Sequence, residues 1–443
     1  MGSAHAANKP KSDFPRLGGV FNGKTPYEGY EDPEYHKLLA RLDLVILGFP
    51  RTWNRDGMTP RDVAQAIKKR NPKLLLGQYT ILGQVNKANN AYQALREKIS
   101  SEKGPNKSNA FDWYARDANG NQTSVYNNTW YVNLTEYVKP DGNGRRWPQH
   151  LAKSSYDEWF FAPEWDLWYA DSTFVQPRSS REGGKVDWSG GAVSDNQKLH
   201  AAYRRGHAAY WTAIKKLRPD MYVMPNLGGW AKRKDADIIL PEYYRKVSAG
   251  QFEGVMGRSW SNEAESGGWY TAMDQFRLAM SYLKEPKLML FNVTGAPKDY
   301  QFFRYAFASS LMDNGYFSYR PNNQYAHGDT PWFDEYDAAG TRNTSWLGKA
   351  LEGPSTKPWK KGVYRRDFEG GIALVNPKEN GKQTVTIEPG FVRINGKQDS
   401  SVNNGKPVTS VTLKDRDGII LIRANGATAS AGADPRPPTL IIE

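Results

Sequence analysis

Short apolar runs recur along the first 320 residues, and between them the apolar positions shift to a spacing of three and four. The runs are Gly18–Asn22, Leu44–Phe49, Leu74–Tyr79, Leu167–Asp171, Met221–Asn226, Phe252–Arg258, Leu288–Val293 and Tyr316–Arg320. Buried runs separated by helical patterns predict parallel strands joined by crossover helices. Eight of them over this length predict an α/β fold, a (β/α)8 TIM barrel over residues 16–340. The helices carry their own signals. Thr59-Pro60-Arg61-Asp62 supplies an N-cap, a proline at the first helical position and a capping-box acid. Tyr203, His207, Tyr210, Ile214 and Leu217 form a stripe for packing on the strands, which makes His207 a core histidine. A junction recurs in Lys68-Lys69-Arg70-Asn71-Pro72, in Lys215-Lys216-Leu217-Arg218-Pro219 and, shortened, in Lys284-Glu285-Pro286. Lysine suits a helix C-terminus and proline ends the helix before the next strand, so these turns are expected to stabilise the bottom of the barrel.

Past Arg320 the pattern changes. Residues 341–358 read as a connector. Residues 359–423 alternate with period two between Gly, Asn and Asp turns, which predicts a small antiparallel, sandwich-like all-β domain. Residues 1–15 are expected to be disordered, and residues 424–443, rich in Ala, Gly and Pro, to form a flexible tail. Two long excursions, Ile81 to Pro163 and Phe174 to Asn196, are expected to rise over the end of the barrel where loops shape a site.

Composition narrows the chemistry. Fifteen Trp and 25 Tyr are many for 443 residues, and aromatic faces suit sugar rings, although most such rings pack in cores. Sixty Lys+Arg against 47 Asp+Glu leave +13, a field that suits nucleic acid, anionic lipid or an acidic polymer. The basic residues are scattered in short pairs, with no arm, stripe or zinc-finger spacing, which argues against nucleic acid. No apolar run is long enough to span a bilayer. The absence of Cys excludes disulfides, thiolate metal sites and cysteine nucleophiles. Six His without an HExxH-like arrangement argue against a zinc hydrolase. Phosphate-loop spacing and a Gly-x-Ser-x-Gly elbow are also missing, so neither a metal nor a cofactor is expected. Ala4-His5-Ala6-Ala7 resembles the remnant of a cleavage site, which suggests a secreted or periplasmic protein.

The candidate chemistry centres on Trp168-Tyr169-Ala170-Asp171-Ser172, an apolar run closed by an acid. Catalytic groups of barrels project from the C-terminal ends of strands, and sugar-bond hydrolysis uses a pair of carboxylates. Asp166, at the start of the same run, reads as structural. Amides and phenols at other strand ends, Asn22, Gln78-Tyr79, Asn226 and Asn292, fit a polyhydroxylated ligand. Trp53, Trp230 and Trp260 offer stacking faces, and Arg258 could pair with an acidic substituent or with a catalytic carboxylate.

The stretches Arg116–Asn121, Trp130–Thr135 and Asp166–Asp171, with Gly371–Pro377 and Arg416–Leu421, resemble bacterial glycoside hydrolases grouped as a hypothetical glycosyl hydrolase family. These are barrels carrying a C-terminal β-sandwich, and the resemblance covers most of residues 16–423. It implies that Asp171 matches the acid closing the fourth strand, the nucleophile or base of related α-glycosidase barrels. Such families often place the proton donor directly after the sixth strand. Here Arg258 stands near that point and Glu263 follows five residues later. Glu263 is therefore the expected general acid, with Glu265, Asp334, Glu335 and Glu164 as rivals. The expected partner is a polysaccharide or oligosaccharide, with acidic or cell-surface glycans among the candidates. A carbohydrate-binding barrel without turnover and a transglycosylase are the other readings.

Overall fold

The computed structural model describes residues 6–21, 30–48, 58–87, 113–126, 128–179, 184–227, 242–265, 267–321, 331–340 and 344–424. By its contacts the chain divides into two units. The first comprises residues 1–11, 16–297 and 315–331, and the second residues 12–15, 298–314 and 332–443.

Among the described residues, the first unit is built on eight parallel strands: β1 Gly18–Phe21, β2 Leu44–Leu47, β3 Leu75–Ile81, β4 Leu167–Asp171, β5 Tyr222–Pro225, β6 Ala249–Met256, β7 Leu288–Gly295 and β8 Tyr316–Pro321. Strands β1 to β5 form one sheet in sequence order, and β6 to β8 form another. Single parallel bridges, Asn226 with Gln251 and Leu17 with Phe317, join the edges of the two sheets. One buried cluster takes side chains from all eight strands, from Val20, Leu44, Leu75, Leu167, Met224, Ala249, Leu288 and Tyr316. The face of each strand that carries this cluster is its inner face.

Helices α1 Pro33–Leu39, α2 Pro60–Arg70, α3 Trp147–Ser155, α4 Asn196–Leu217 and α5 Gly268–Tyr282 belong to this unit. The expected cap of α2 is present. Thr59 Oγ1 accepts from Asp62 N at 3.2 Å, and Asp62 Oδ2 accepts from Thr59 N at 2.8 Å. The buried stripe of α4 includes Tyr203, His207, Tyr210 and Ile214, as the spacing predicts. The repeated junction lysines work through hydrogen bonds as well as through the helix dipole. Lys68 Nζ donates to Leu74 O at 2.6 Å, and Lys215 Nζ to Met221 O at 2.7 Å, so each helix end is tied to the strand that follows. None of the described helices is long and apolar enough to cross a membrane.

Residues 6–15 depart from the expected disorder. Asn8 N donates to Asp166 Oδ1 at 2.8 Å, and Phe14 N to Gly348 O at 2.8 Å. Backbone donors satisfied by distant residues hold this segment in place, an effect that composition alone does not reveal.

The second unit carries strands β9 Tyr364–Phe368, β10 Gly371–Asn376, β11 Gln383–Arg393, β12 Pro407–Leu413 and β13 Asp417–Arg423. Among the described residues they form one five-stranded antiparallel sheet, in the order β9-β10-β13-β11-β12, rather than the two facing sheets of a sandwich. Strand β11 shifts register against β12 between Thr386 and Phe391, and from Phe391 to Arg393 it also pairs with β13. Such a shift bends a strand. One side of the sheet encloses Ile372, Val385, Phe391, Val411 and Leu421. On the other lies α6 Tyr300–Leu311, where an added Cβ at Gly418 would meet Arg304 O at 2.6 Å. The sequence boundary at 340 thus misses α6, which lies between β7 and β8 along the chain yet packs on the second unit's sheet. The expected tail lies almost wholly outside the described residues.

Candidate active site

Side chains alternate across a strand, so residues two and four beyond a core position share its inner face. Following that rule past the core cluster brings Asp171 (after Tyr169), Asn226 (after Met224), Gln251 and Glu253 (after Ala249) and Arg320 (after Tyr316) to one end of the strands, beside Tyr79. The hydrogen bonds agree. Asp171 Oδ2 accepts from the Tyr79 hydroxyl, and its Oδ1 accepts from Asn226 Nδ2 at 2.8 Å. The same nitrogen donates to Glu253 Oε2 at 3.3 Å. Two carboxylates therefore share one amide donor. Their facing oxygens are separated by at most the two bond lengths end to end, about 6 Å.

Local structure fixes each member. Asn226 N donates to Ala170 O at 2.8 Å and Thr173 N donates to Asn226 O at 3.1 Å, so the ends of β4 and β5 are stitched together beside Asp171. Ser172, next in the chain, takes the left-handed conformation with φ 54°. A non-glycine residue held there costs free energy, and such conformations cluster at functional sites. Glu253 owes its position to a register shift: Phe252 pairs with Phe291 but Met256 pairs with Val293, leaving Glu253-Gly254-Val255 bulged out of the ladder. Gly254 makes room for Trp260, since an added Cβ would lie 2.8 Å from its ring. The Glu253 side chain is 38% exposed and so reaches the rim of the site.

Beneath it lies Arg320, whose Nη1 is 3.9 Å from Glu253 Oε1 and whose side chain is 7% exposed. Burial pulls the Arg320 pKa below its ordinary value, and the charge of Glu253 opposes that pull. Tyr169, fully buried, accepts from Gln251 Nε2 at 3.1 Å. Burial first, and then the negative charges of Asp171 and Glu253, push its hydroxyl well above the usual range. It therefore stays neutral as a floor to the site. The arrangement can hold a carboxylate still with two neutral donors, set a second carboxylate within one sugar linkage of it, and place a cation beneath the second.

The other expected residues are placed as follows. Tyr79 and Asn226 join Asp171. Gln78, one residue from Tyr79, falls on the opposite face of β3, where its amide donates to Gly48 O at 2.8 Å and Tyr79 O at 3.2 Å. The structure does not bring it to the carboxylates. Asn292 lies on the inner face of β7 and is fully buried, with neither amide atom hydrogen-bonded among the described residues. Arg258 Nε donates to Thr294 Oγ1 at 3.0 Å, and its guanidinium lies 5.1 Å from the Trp260 ring centre. Asn22, Trp53 and Trp230 lie outside the described residues.

Glu263 sits in a one-turn helix, Asn262–Glu265, and is 6% exposed; Glu265 beside it is exposed. Glu253 rather than Glu263 shares a donor with Asp171. The other rivals are employed elsewhere. Asp334 Oδ2 accepts from Lys397 N at 2.8 Å and Gln398 N at 2.9 Å, and Glu335 accepts from Asn403 Nδ2 at 2.9 Å, all within the second unit. Glu164 accepts from Gln65 Nε2 at 2.8 Å. Asp166 is fully buried and holds Asn8 N, Leu76 N and Lys68 at the opposite end of β4 from Asp171.

The sequence model of hypothetical glycosyl hydrolase family 15 matches residues 68–372, more than half of the chain. The chain belongs to that family. The matched span includes Tyr79, Asp171, Asn226, Glu253 and Arg320. No curated protein matches the chain. Among solved structures, it is similar to the glycoside hydrolase domain of PelA from Pseudomonas aeruginosa, at 13% identity and TM-score 0.40, covering 69% of this chain and 94% of that one. It is also similar to the GH36 α-galactosidase AgaA from Geobacillus stearothermophilus, at 11% identity and TM-score 0.47, covering 93% of this chain and 56% of that one. A family 39 glycoside hydrolase from Bacteroides cellulosilyticus WH2 matches at 11% identity and TM-score 0.44, covering 92% of this chain and 80% of that one.

Proposed function

We propose that this family member is a glycoside hydrolase acting on a polysaccharide or oligosaccharide, with Asp171 as nucleophile and Glu253 as general acid and base. The carrying observation is the pair of carboxylates bridged by Asn226 Nδ2. It is supported by a scaffold read as a closed (β/α)8 barrel, since the two parallel sheets meet through bridges at both edges and share one core. In such a barrel the C-terminal strand ends carry the chemistry.

A separation of no more than about 6 Å between facing oxygens fits the close pair of a retaining enzyme better than the wider gap that accommodates a water. In the first step Glu253 gives its proton to the glycosidic oxygen while Asp171 attacks the anomeric carbon. The carbon–oxygen bond to the leaving sugar breaks and an ester to Asp171 forms. In the second, the Glu253 carboxylate takes a proton from water, which attacks the same carbon and frees Asp171. Asp171 suits the first role because two donors hold both its oxygens in place. Glu253 suits the second because it lies at the exposed rim, and Arg320 offsets the charge left when its proton departs.

The experiment is a screen of the purified protein for reducing-end release from bacterial and plant glycans, with Asp171→Asn as control and the anomer of the first product read by NMR. The reading expects turnover that falls roughly a hundredfold or more in Asp171→Asn, with retained configuration. Glycan binding without turnover, unchanged by Asp171→Asn, would replace it with a non-catalytic carbohydrate-binding role.

A further inference from the structure

The loop that follows Asp171 carries an arginine that the catalytic scheme does not use. Arg178 is exposed, and its position is fixed from two sides. Its backbone N donates to the Tyr131 hydroxyl at 3.1 Å, and its Nη1 donates to the Tyr126 hydroxyl at 2.9 Å. The guanidinium carbon lies 4.3 Å from the centre of the Phe174 ring. No carboxylate pairs with it among the described residues.

These groups border the carboxylate pair. Gln84 and Tyr131 are partners in a short antiparallel ribbon, Gln84–Asn86 with Thr129–Tyr131. Thr129 Oγ1 donates to Gln84 Oε1 at 2.8 Å, and lies 3.1 Å from Tyr126 O, which shares the same hydrogen. Gln84 Nε2 in turn reaches Ser172 Oγ at 3.5 Å, directly after Asp171. The electrostatics agree, because the Tyr126 hydroxyl, shifted upward mainly by burial, also feels Asp171, Glu253 and Arg178.

A guanidinium seated on a ring, rather than on a carboxylate, keeps its orientation while leaving N–H groups to an incoming ligand. Its planar fork matches a carboxylate in two parallel hydrogen bonds. The flanking rings supply faces for a pyranose. We propose that Arg178, with Tyr126, forms a rim subsite that binds the carboxylate of an acidic sugar beside the cleaved linkage, so that the preferred substrates are uronic-acid glycans. The proposal rests on the glycosidase reading for the word substrate, but the binding stands by itself.

The test uses the full chain carrying Asp171→Asn, so that no ligand is consumed. Titration calorimetry compares oligomers of glucuronate, galacturonate, mannuronate and guluronate with the same oligomers after reduction of each carboxylate to an alcohol. At least one acidic series should bind, with its reduced form weaker by about tenfold to a hundredfold. Adding Arg178→Ala should abolish that difference, Arg178→Lys should keep part of it, and salt should shrink it. Equal binding of acidic and reduced forms, a preference that survives Arg178→Ala, tighter binding of sulfated than of carboxylated oligomers, or no binding by any acidic series would overturn it. Asp171-dependent hydrolysis of neutral glycans, indifferent to Arg178→Ala, would remove the subsite and leave the glycosidase. Arg178-dependent binding with no turnover by the unsubstituted protein would do the reverse.

Discussion

At the scale of single residues, the site is two acids made into a pair by one amide. Removing the Tyr79 hydroxyl tests how far fixed geometry matters. Tyr79→Phe keeps the ring that packs 5.5 Å from Tyr169 but frees one oxygen of Asp171. A loss of about tenfold in kcat with little change in KM is expected, the size of one hydrogen bond to a charged group. An unchanged kcat would show that Asn226 alone positions the acid. Asp171, Tyr79 and Asn226 were legible in the sequence because each closes an apolar run with a polar group. Glu253 was not, because it lies inside its strand rather than just beyond the strand's end. The usable signal was Gln251 and Glu253 alternating within Ala249–Met256 with Gly254 next to them, since glycine within a strand marks a bulge. Gln78 failed for the converse reason. Neighbours on a strand face opposite ways, and only one of Gln78 and Tyr79 can look inward.

At the scale of elements, helix α4 shows how a stripe legible in the sequence can conceal a titrating group. His207 packs between Tyr203, Trp211 and Tyr243, and neither ring nitrogen has a partner among the described residues. Burial pushes its pKa down to about 3. Below its unfolded value of about 6.5 the unfolded chain binds a proton that the folded chain refuses. Stability is therefore complete above pH 6.5 or so and is lost progressively as pH falls toward 3, by an amount on the order of a few kcal/mol. Thermal melts of His207→Phe should show a shallower decline across that window than the unsubstituted protein. Parallel declines would mean that other groups carry the acid sensitivity. The cap of α2 offers a smaller check. Thr59→Ala should cost about 1 kcal/mol in chemical denaturation, and no change would mean that the proline start suffices without the cap.

On the scale of the whole molecule, the eight apolar runs and the switch to period two beyond Arg320 gave the parallel and antiparallel parts of the fold. Their boundary was misplaced because α6 belongs to the second unit by contact though not by position in the chain. Local pattern marks the helix; which sheet covers it is decided by packing. Every residue from Phe302 to Leu311 is buried, in a helix that packs on β10 and β13. A chain ending at residue 358 would leave the sheet-facing side of α6 bare. It should lose its cooperative melt and aggregate, and a soluble, cooperatively folding truncation would show that α6 needs no sheet.

The pairing of Asp171 with Glu253 is tested most directly by measuring kcat/KM for Asp171→Asn, Glu253→Gln and Glu263→Gln side by side on the first glycan found to be cleaved. The first two are expected to fall by roughly a hundredfold or more, while Glu263→Gln stays within a few-fold of the unsubstituted enzyme. Full activity in Glu253→Gln, with the loss appearing in Glu263→Gln instead, would contradict the account.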